Sequence, residues 1–353
     1  FLAFRNENHS LRPVRSGSRS DASQRQGGEV PAAACGRFRR GALALLLGVL
    51  AGCGGPPVSR PGRLEVITTV APVTLFTRAV AGDCARVTPL LPPGGDAHAI
   101  QASPRDLLRL RRADVLVLNG LGLEAPLEPL LASADQPALR RIDSTRGLIA
   151  PGAVGAGAMA PVGLPGSPAS GDGHAHGPIN PHVWLDPRLA LRQVETIRDG
   201  LIAADPSCAE GYRRRAAATA AGLRRLDRRL AADLAPLRGR TLLTSHDFAA
   251  HFARRYGLGN AWLVVEPESP AAPADLARLA ALQKREGSRA LLAPPGPIAA
   301  AFSGLARDLG VPILRFDPLE SLSEAQLADP FSYERLMLRN AASVRQAIGP
   351  PNN

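Results

Sequence analysis

Histidine 182 lies in Asn180-Pro181-His182-Val183-Trp184-Leu185-Asp186-Pro187. Proline restricts the backbone on both sides of this segment, so the imidazole can be aimed. A lone histidine in a turn is most simply a solvated ring, and a metal-ligand reading needs partners. His98 follows Pro92-Pro93-Gly94-Gly95, His246 stands in Ser245-His246-Asp247, and Asp317 opens Asp317-Pro318-Leu319. Each of these residues falls at a strand end or a loop-to-helix junction. Three imidazoles and one carboxylate make a set that tetrahedral Zn²⁺ accepts. The gaps from 98 to 182, 182 to 246 and 246 to 317 are 84, 64 and 71 residues. Spacings of that size exclude a local zinc-finger site, so the scaffold must fold first and present the ligands across a cleft. A further pair, His174 and His176 in Asp172-Gly173-His174-Ala175-His176, reads as an auxiliary metal-collecting arm rather than as part of the main site.

The elements that would position these groups alternate between strand and helix. Leu64 to Val70 and Arg86 to Leu91 are short β-rich runs, with helical character between them from Ala71 to Ala81. Arg105 to Arg112 is amphipathic behind the Ser103-Pro104 start signal, Val115 to Leu118 is a buried-strand run, and Leu139 to Ile142 offers another. Asn119 to Glu124 carries two glycines but fails the G-x-G-x-x-G pattern, and no P-loop occurs. Residues 147–179 are small residues and prolines without periodicity, a loop long enough to be functional or disordered. Arg188 to Ala203 and then Ala209 to Ala235 are helical, the second roughly 40 Å long at 1.5 Å per residue. It reads as a connector, and its Arg213, Arg224 and Arg228 as a solvated face. Four more strand runs follow, at Thr241 to Thr244, Ala261 to Val265, Arg289 to Leu292 and Pro312 to Phe316. The fold class is therefore α/β, in two halves joined by one long helix, with the metal site in the cleft between them. Open parallel sheets place ligands at the carboxyl ends of their strands. The expected division is 63–204 for the first lobe, 205–236 for the connecting helix and 237–349 for the second lobe.

The chain of 353 residues has a formal charge of +11. Eight arginines against three acids in the first 52 residues supply +5 of it, which leaves +6 for the remainder. Aromatics, the residues that stack on bases, are only 4%, so a nucleic-acid partner is not indicated. The basic start has another reading. Arg37, Arg39 and Arg40 precede the apolar run from Gly41 to Ala51, which is too short to span a bilayer but suits the h-region of a secretory signal. That run ends in Leu50-Ala51-Gly52-Cys53, a sequence similar to the bacterial lipobox, whose cysteine is lipidated. Residues 1–34 read as a disordered or upstream extension, 35–53 as the lipoprotein signal and 54–62 as a tether. Export makes a disulfide between Cys84 and Cys208 permissible, and spacing alone leaves their pairing open.

From about Arg63 to Ile348 the chain resembles the metal-binding receptors of ABC importers for zinc and manganese. The matching segments are Pro92 to His98, Asn119 to Glu124, Asn180 to Pro187, Ser245 to Asp247 with Phe252 to Leu258, Phe316 to Leu319, and Tyr333 to Asn340. The resemblance implies two α/β lobes of parallel sheet flanked by helices and joined by one long rigid helix, with metal ligands at His98, His182, His246 and Asp317 in the interlobe cleft. Manganese-type members resemble this chain except for a glutamate at the third position, so His246 favours zinc. The chain departs from the family at Ala97, where proline is usual, and at Ile100-Gln101, which replaces an aromatic-glutamate pair. The implied function is a monomeric, lipid-anchored extracytoplasmic receptor that carries Zn²⁺ to a membrane permease. Its affinity should fall as pH drops through about 6.5, where histidine titrates. Manganese or iron cargo and a zinc-dependent adhesin are the alternatives. A secreted zinc hydrolase is disfavoured, because there is no H-E-x-x-H and a fourth protein ligand closes the site to water.

Overall fold

The computed structural model describes residues 62–95, 103–134, 136–148, 180–264, 267 and 269–350. His98, His174, His176 and Cys53 lie outside the described residues. Two four-stranded parallel sheets organise the fold. The first comprises β1 (Leu64–Thr68), β2 (Ala85–Pro89), β3 (Val115–Leu118) and β4 (Arg140–Asp143), in the order β2-β1-β3-β4. The second comprises β5 (Thr241–His246), β6 (Gly259–Val264), β7 (Leu291–Ala293) and β8 (Ile313–Arg315), in the order β6-β5-β7-β8. The second order repeats the first, and in both the chain reverses its winding direction beside the first strand. That reversal opens a crevice at the carboxyl ends of the strands.

Helices α1 (Ala71–Ala81), α2 (Pro104–Arg112), α3 (Glu128–Ser133) and α4 (Pro187–Ala204) accompany the first sheet. The second sheet has α6 (Ala250–Tyr256), α7 (Pro273–Glu286), α8 (Ala300–Leu309), α9 (Glu324–Ala328) and α10 (Ser332–Ile348). Between the two sets runs α5 (Ala209–Leu234), 26 residues long and thus about 39 Å. Its length follows from composition: alanine, leucine and arginine favour helix, and no proline interrupts them. Local signals set the other starts. Ser103 caps α2 in a reciprocal capping box with Asp106, and Asp186 caps α4 through the Arg188 amide. Asp186 is thus a helix start, as its place before Pro187 suggested.

The strands divide their side chains by the two-residue period. Leu242 and Leu292 join a core that also holds Val66, Leu116, Ile197, Leu226 and Leu230. Their neighbours Leu243, Leu291 and Ala293 pack on the far face of the second sheet with Leu279 and Phe302. One apolar core therefore runs from the first sheet through α5 to the near face of the second. Bending the lobes apart would expose it, which is the physical reason for a stiff connection rather than an open hinge.

Cys84 and Cys208 form a disulfide, with Cα atoms 6.2 Å apart. The bond ties the end of α1 to the residue before α5. Arg215 of α5 reinforces the junction by donating to the carbonyls of Val80 and Ala81, at 2.8 and 2.7 Å. These are among the carbonyls left open at a helix C-terminus, where a cation is favoured.

Candidate functional site

His182, His246 and Glu320 converge. One ligand atom from each lies within 4.8 Å of the others, and all three residues are buried. His246 is the last residue of β5, at the carboxyl end of a strand where the parallel-sheet rule places ligands. Its ring meets Phe248 edge-on, with centroids 4.9 Å apart, and lies 6.1 Å from the ring of His182. His182 precedes a short 3-10 turn, Val183–Leu185. Glu320 is in the loop after β8, and its Oε1 lies 2.8 Å from His182 Nε2.

The histidine is oriented from behind. Asn180 Oδ1 accepts from the backbone amide of His182 at 3.0 Å and faces its Nδ1 at 2.9 Å. An amide oxygen can only accept, so Nδ1 carries the proton in this contact and Nε2 is the nitrogen directed at the site. A basic imidazole nitrogen and a carboxylate oxygen 2.8 Å apart repel unless a proton or cation lies between them. The donor set therefore fits a shared cation. Asn180 is itself held: its side-chain amide donates to the carbonyl of Asp247, and its own carbonyl accepts from His251 Nε2 at 2.8 Å.

A second line of contacts explains the Asn119 to Glu124 segment. The Glu124 carboxylate accepts from Thr69 Oγ1 and the Asn119 amide, each at 2.7 Å, and from the Gly120 amide at 3.0 Å. Burial nevertheless pushes its pKa up. Asn119 in turn donates from Nδ2 to the carbonyl of Pro181 at 3.1 Å, and Gln193 of α4 holds Asn119 Oδ1 at 3.0 Å. Gly120 has φ 96°, and a Cβ there would collide with Asp143 and Thr145, so glycine is required. The whole segment serves to fix the residue before His182. On the other side, Trp184 Nε1 donates to the Pro318 carbonyl at 2.7 Å, and Tyr333 donates to the Trp184 carbonyl at 2.6 Å. Trp184 is fully buried, so the His182 loop is locked to the loop that carries Glu320.

Asp317 is placed differently from the expectation that it is a ligand. It lines the same cavity of about 630 Å³ as His246 and Glu320, but it is not one of the three converging residues. Its Oδ1 accepts from the Leu319 amide at 2.9 Å, and its Oδ2 is paired with Arg315 at 2.9 Å. Asn340 clamps the Asp317 backbone from both sides, accepting from its amide at 2.8 Å and donating to its carbonyl at 2.7 Å. The hydrogen bond to Leu319 supports that residue in the left-handed region at φ 65°, a conformation that costs a leucine about 1–3 kcal/mol. Leu319 immediately precedes Glu320, so the strained turn sets where Glu320 points. Glu320 is not among the ligands expected from the sequence. The available signal was a second carboxylate three residues after Asp317 in the same strand-end loop.

His98 has no described position. The described chain on that side stops at Gly95, three residues earlier, and Gly94 lines the cavity. Gly94 is tied to the Glu320 loop: its amide donates to the Leu322 carbonyl and its carbonyl accepts from Ser321 Oγ, both at 2.8 Å.

Two expected results arise here. Asn180→Ala frees the Nδ1 side of His182 and its link to Asp247, and should weaken zinc binding about 10- to 100-fold. Competition against a chromophoric chelator measures it, and an unchanged affinity would remove Asn180 from the support. The second concerns His251, which burial pushes down to about 4. The folded chain then binds fewer protons than the unfolded one. The contribution is complete above about pH 6.5 and is lost as pH falls toward 4, to about 3 kcal/mol. Urea unfolding of metal-free wild type and His251→Gln should show wild-type stability falling relative to the variant across that window.

Comparisons with known proteins identify the family and the fold. Residues 66–347 match the family described as ZnuA, zinc-uptake complex component A, periplasmic. The zinc-binding lipoprotein AdcA of Streptococcus pneumoniae serotype 4 is 28% identical over 292 residues, covering 81% of this chain and 56% of AdcA. The chain thus spans about half the length of the curated relatives it matches first. The structure of the Zn(II)-bound ZnuA-like domain of S. pneumoniae AdcA is 27% identical, with a TM-score of 0.64 over 82% of this chain and 100% of that one. The binding protein FpvC of Pseudomonas aeruginosa, solved in complex with Mn²⁺, is 27% identical, with a TM-score of 0.65 over 81% and 98%. With two parallel sheets, a connecting helix and a family match over 282 consecutive residues, from 66 to 347, the chain belongs to the ZnuA family of periplasmic zinc-uptake components.

Proposed function

We propose that this protein is the extracytoplasmic receptor of a zinc importer. It captures Zn²⁺ as cargo and hands it to an ABC-transporter permease. The convergence of His182, His246 and Glu320 carries the reading: two neutral imidazoles and one carboxylate fit Zn²⁺ and offset half of its charge. His98 completes the set as the fourth ligand. From Gly95 the chain has three residues in which to reach the site, about 10 Å when extended. In this reading the Asn180 contact presents Nε2 of His182 before the ion arrives, so capture costs little reorganisation.

Zinc is preferred to manganese because His246 supplies nitrogen where a carboxylate would suit the harder ion. The Mn²⁺ complex of FpvC favours the second reading, a manganese or iron receptor on the same scaffold. Metal analysis of protein purified from its native compartment, beside His246→Glu, separates the two. Zinc in the wild type, and a shift toward manganese in the variant, is the expected result. Manganese without zinc in the wild type would overturn the selectivity argument.

The protein acts by binding rather than by catalysis, since Glu320 stands within the ligand set instead of beside it as a general base. Zinc-dependent turnover of esters or peptides is not expected. Lipidation of Cys53 would hold the chain to a bacterial membrane as a monomer, with lobes at 63–204 and 237–349 around the 205–236 connector. His174 and His176 would collect metal near the cleft. Adhesion through the same scaffold is the remaining alternative, and a neighbouring permease and ATPase in the operon would speak for import.

A further inference from the structure

The outward face of α5 carries six exposed arginines, Arg213, Arg214, Arg224, Arg225, Arg228 and Arg229. At 3.6 residues per turn they fall within an arc of about 160°, opposite the buried stripe of Tyr212, Ala216, Leu223, Leu226 and Leu230. Arg214 is paired with Glu210 and Arg229 with Asp233. Among the described residues no acid pairs with Arg213, Arg224, Arg225 or Arg228. On α4, by contrast, Arg192 and Arg198 each have a carboxylate partner. The helix that joins the two lobes thus presents, on one face, four exposed arginines that no described acid neutralises.

The point where the chain enters the fold lies beside this helix. Gly62 is the first described residue, and Arg63 donates to the Asp83 carbonyl at 2.6 Å and to its carboxylate at 3.0 Å. Asp83 adjoins Cys84, whose disulfide partner Cys208 immediately precedes α5. Eight residues lie between Cys53 and Gly62, a reach of at most about 30 Å. An anchor at Cys53 would thus hold Gly62, where the described chain begins, within that distance of the bilayer. Gly62 leads into the amino end of β1, whereas His246 sits at the carboxyl end of its strand. A bilayer on the entry side leaves the metal cleft unobstructed.

We propose that the arginine face of α5 docks on an anionic lipid surface. The ligand is the phosphate of acidic phospholipid headgroups, and docking holds the anchored receptor with its cleft toward solvent. Fixed positive charge beside a negatively charged bilayer is attracted within a Debye length, so the contact is salt-sensitive. The proposal rests on the Cys53 anchor for proximity, but it concerns a different surface.

The test uses the full chain with Ala217→Cys, a site exposed on the same face, bearing a fluorophore. The labelled protein is placed on vesicles of phosphatidylcholine with or without phosphatidylglycerol, and headgroup-attached quenchers report how near the label lies. Close approach is expected only with phosphatidylglycerol and only at low salt. Replacing Arg213, Arg224, Arg225 and Arg228 together by glutamine should lower the apposed fraction about tenfold or more. Zinc binding and circular dichroism of that variant should match wild type, because all four side chains are solvent-exposed. A label that stays solvent-exposed on phosphatidylglycerol, or that approaches equally in the variant, overturns the proposal. So does a label that is covered only when the permease complex is added, an outcome that assigns the face to an acidic protein. Failure of the protein to remain on phosphatidylcholine vesicles would instead contradict the Cys53 anchor, and the phosphatidylglycerol measurement would still decide the face.

Discussion

Glu320→Gln should lower zinc affinity by about 100-fold or more, while Asp317→Asn should cost only about tenfold, near the lower limit for residues that orient ligands. The difference follows from what each carboxylate touches. Glu320 points at His182 Nε2 from 2.8 Å, so glutamine removes a negative charge from where the cation would sit. The oxygens of Asp317 are occupied by the Leu319 amide and Arg315. Asparagine there keeps one acceptor for Leu319 and loses the ion pair, so its effect passes through the position of Glu320. Equilibrium competition for zinc in metal-stripped protein measures both variants. The opposite order of effects would return Asp317 to the ligand set and make Glu320 a supporting residue.

Loss of the Cys84–Cys208 bond is the second large effect. The double variant Cys84→Ala/Cys208→Ala should be less stable by about 2–5 kcal/mol, with a midpoint about 5–15 °C lower for a domain of this size. The bond closes a loop with a sequence separation of 124, and its removal returns that loop's freedom to the unfolded chain. It also loosens the seat of Arg215, which donates to Cys84 Sγ at 3.1 Å and to the last carbonyls of α1. Zinc affinity of the folded variant should remain near wild type, because neither cysteine lines the cavity that holds His246 and Glu320. Calorimetry with and without reductant tests the first expectation, and a zinc titration tests the second. A midpoint unchanged by reduction would show that the core alone holds α1 to α5.

Local pattern determined much of this protein. Alternating apolar runs marked all eight strands to within a few residues, since buried parallel strands read as short β-rich segments. The proline-free stretch from Ala209 gave α5, and Asp186-Pro187 gave the start of α4. The short α3 and α9 were not legible, because five or six residues carry no usable periodicity. His246 could be nominated at a strand end and His182 at a loop-to-helix junction, because histidine in either place is chemically conspicuous. The choice between Asp317 and Glu320 required the tertiary structure. Both are carboxylates in one loop, and the one turned toward His182 depends on the positive φ of Leu319 and on Arg315. Those are three-dimensional facts with no local signature. The same holds for Asn180, which looks like an ordinary turn residue until its contacts to His182, Asp247 and His251 are seen. Pairing of Cys84 with Cys208 likewise depends on two distant segments meeting. Sequence thus specified elements and reactive side chains, which depend on local chemistry. Packing decided which of those side chains point at one another.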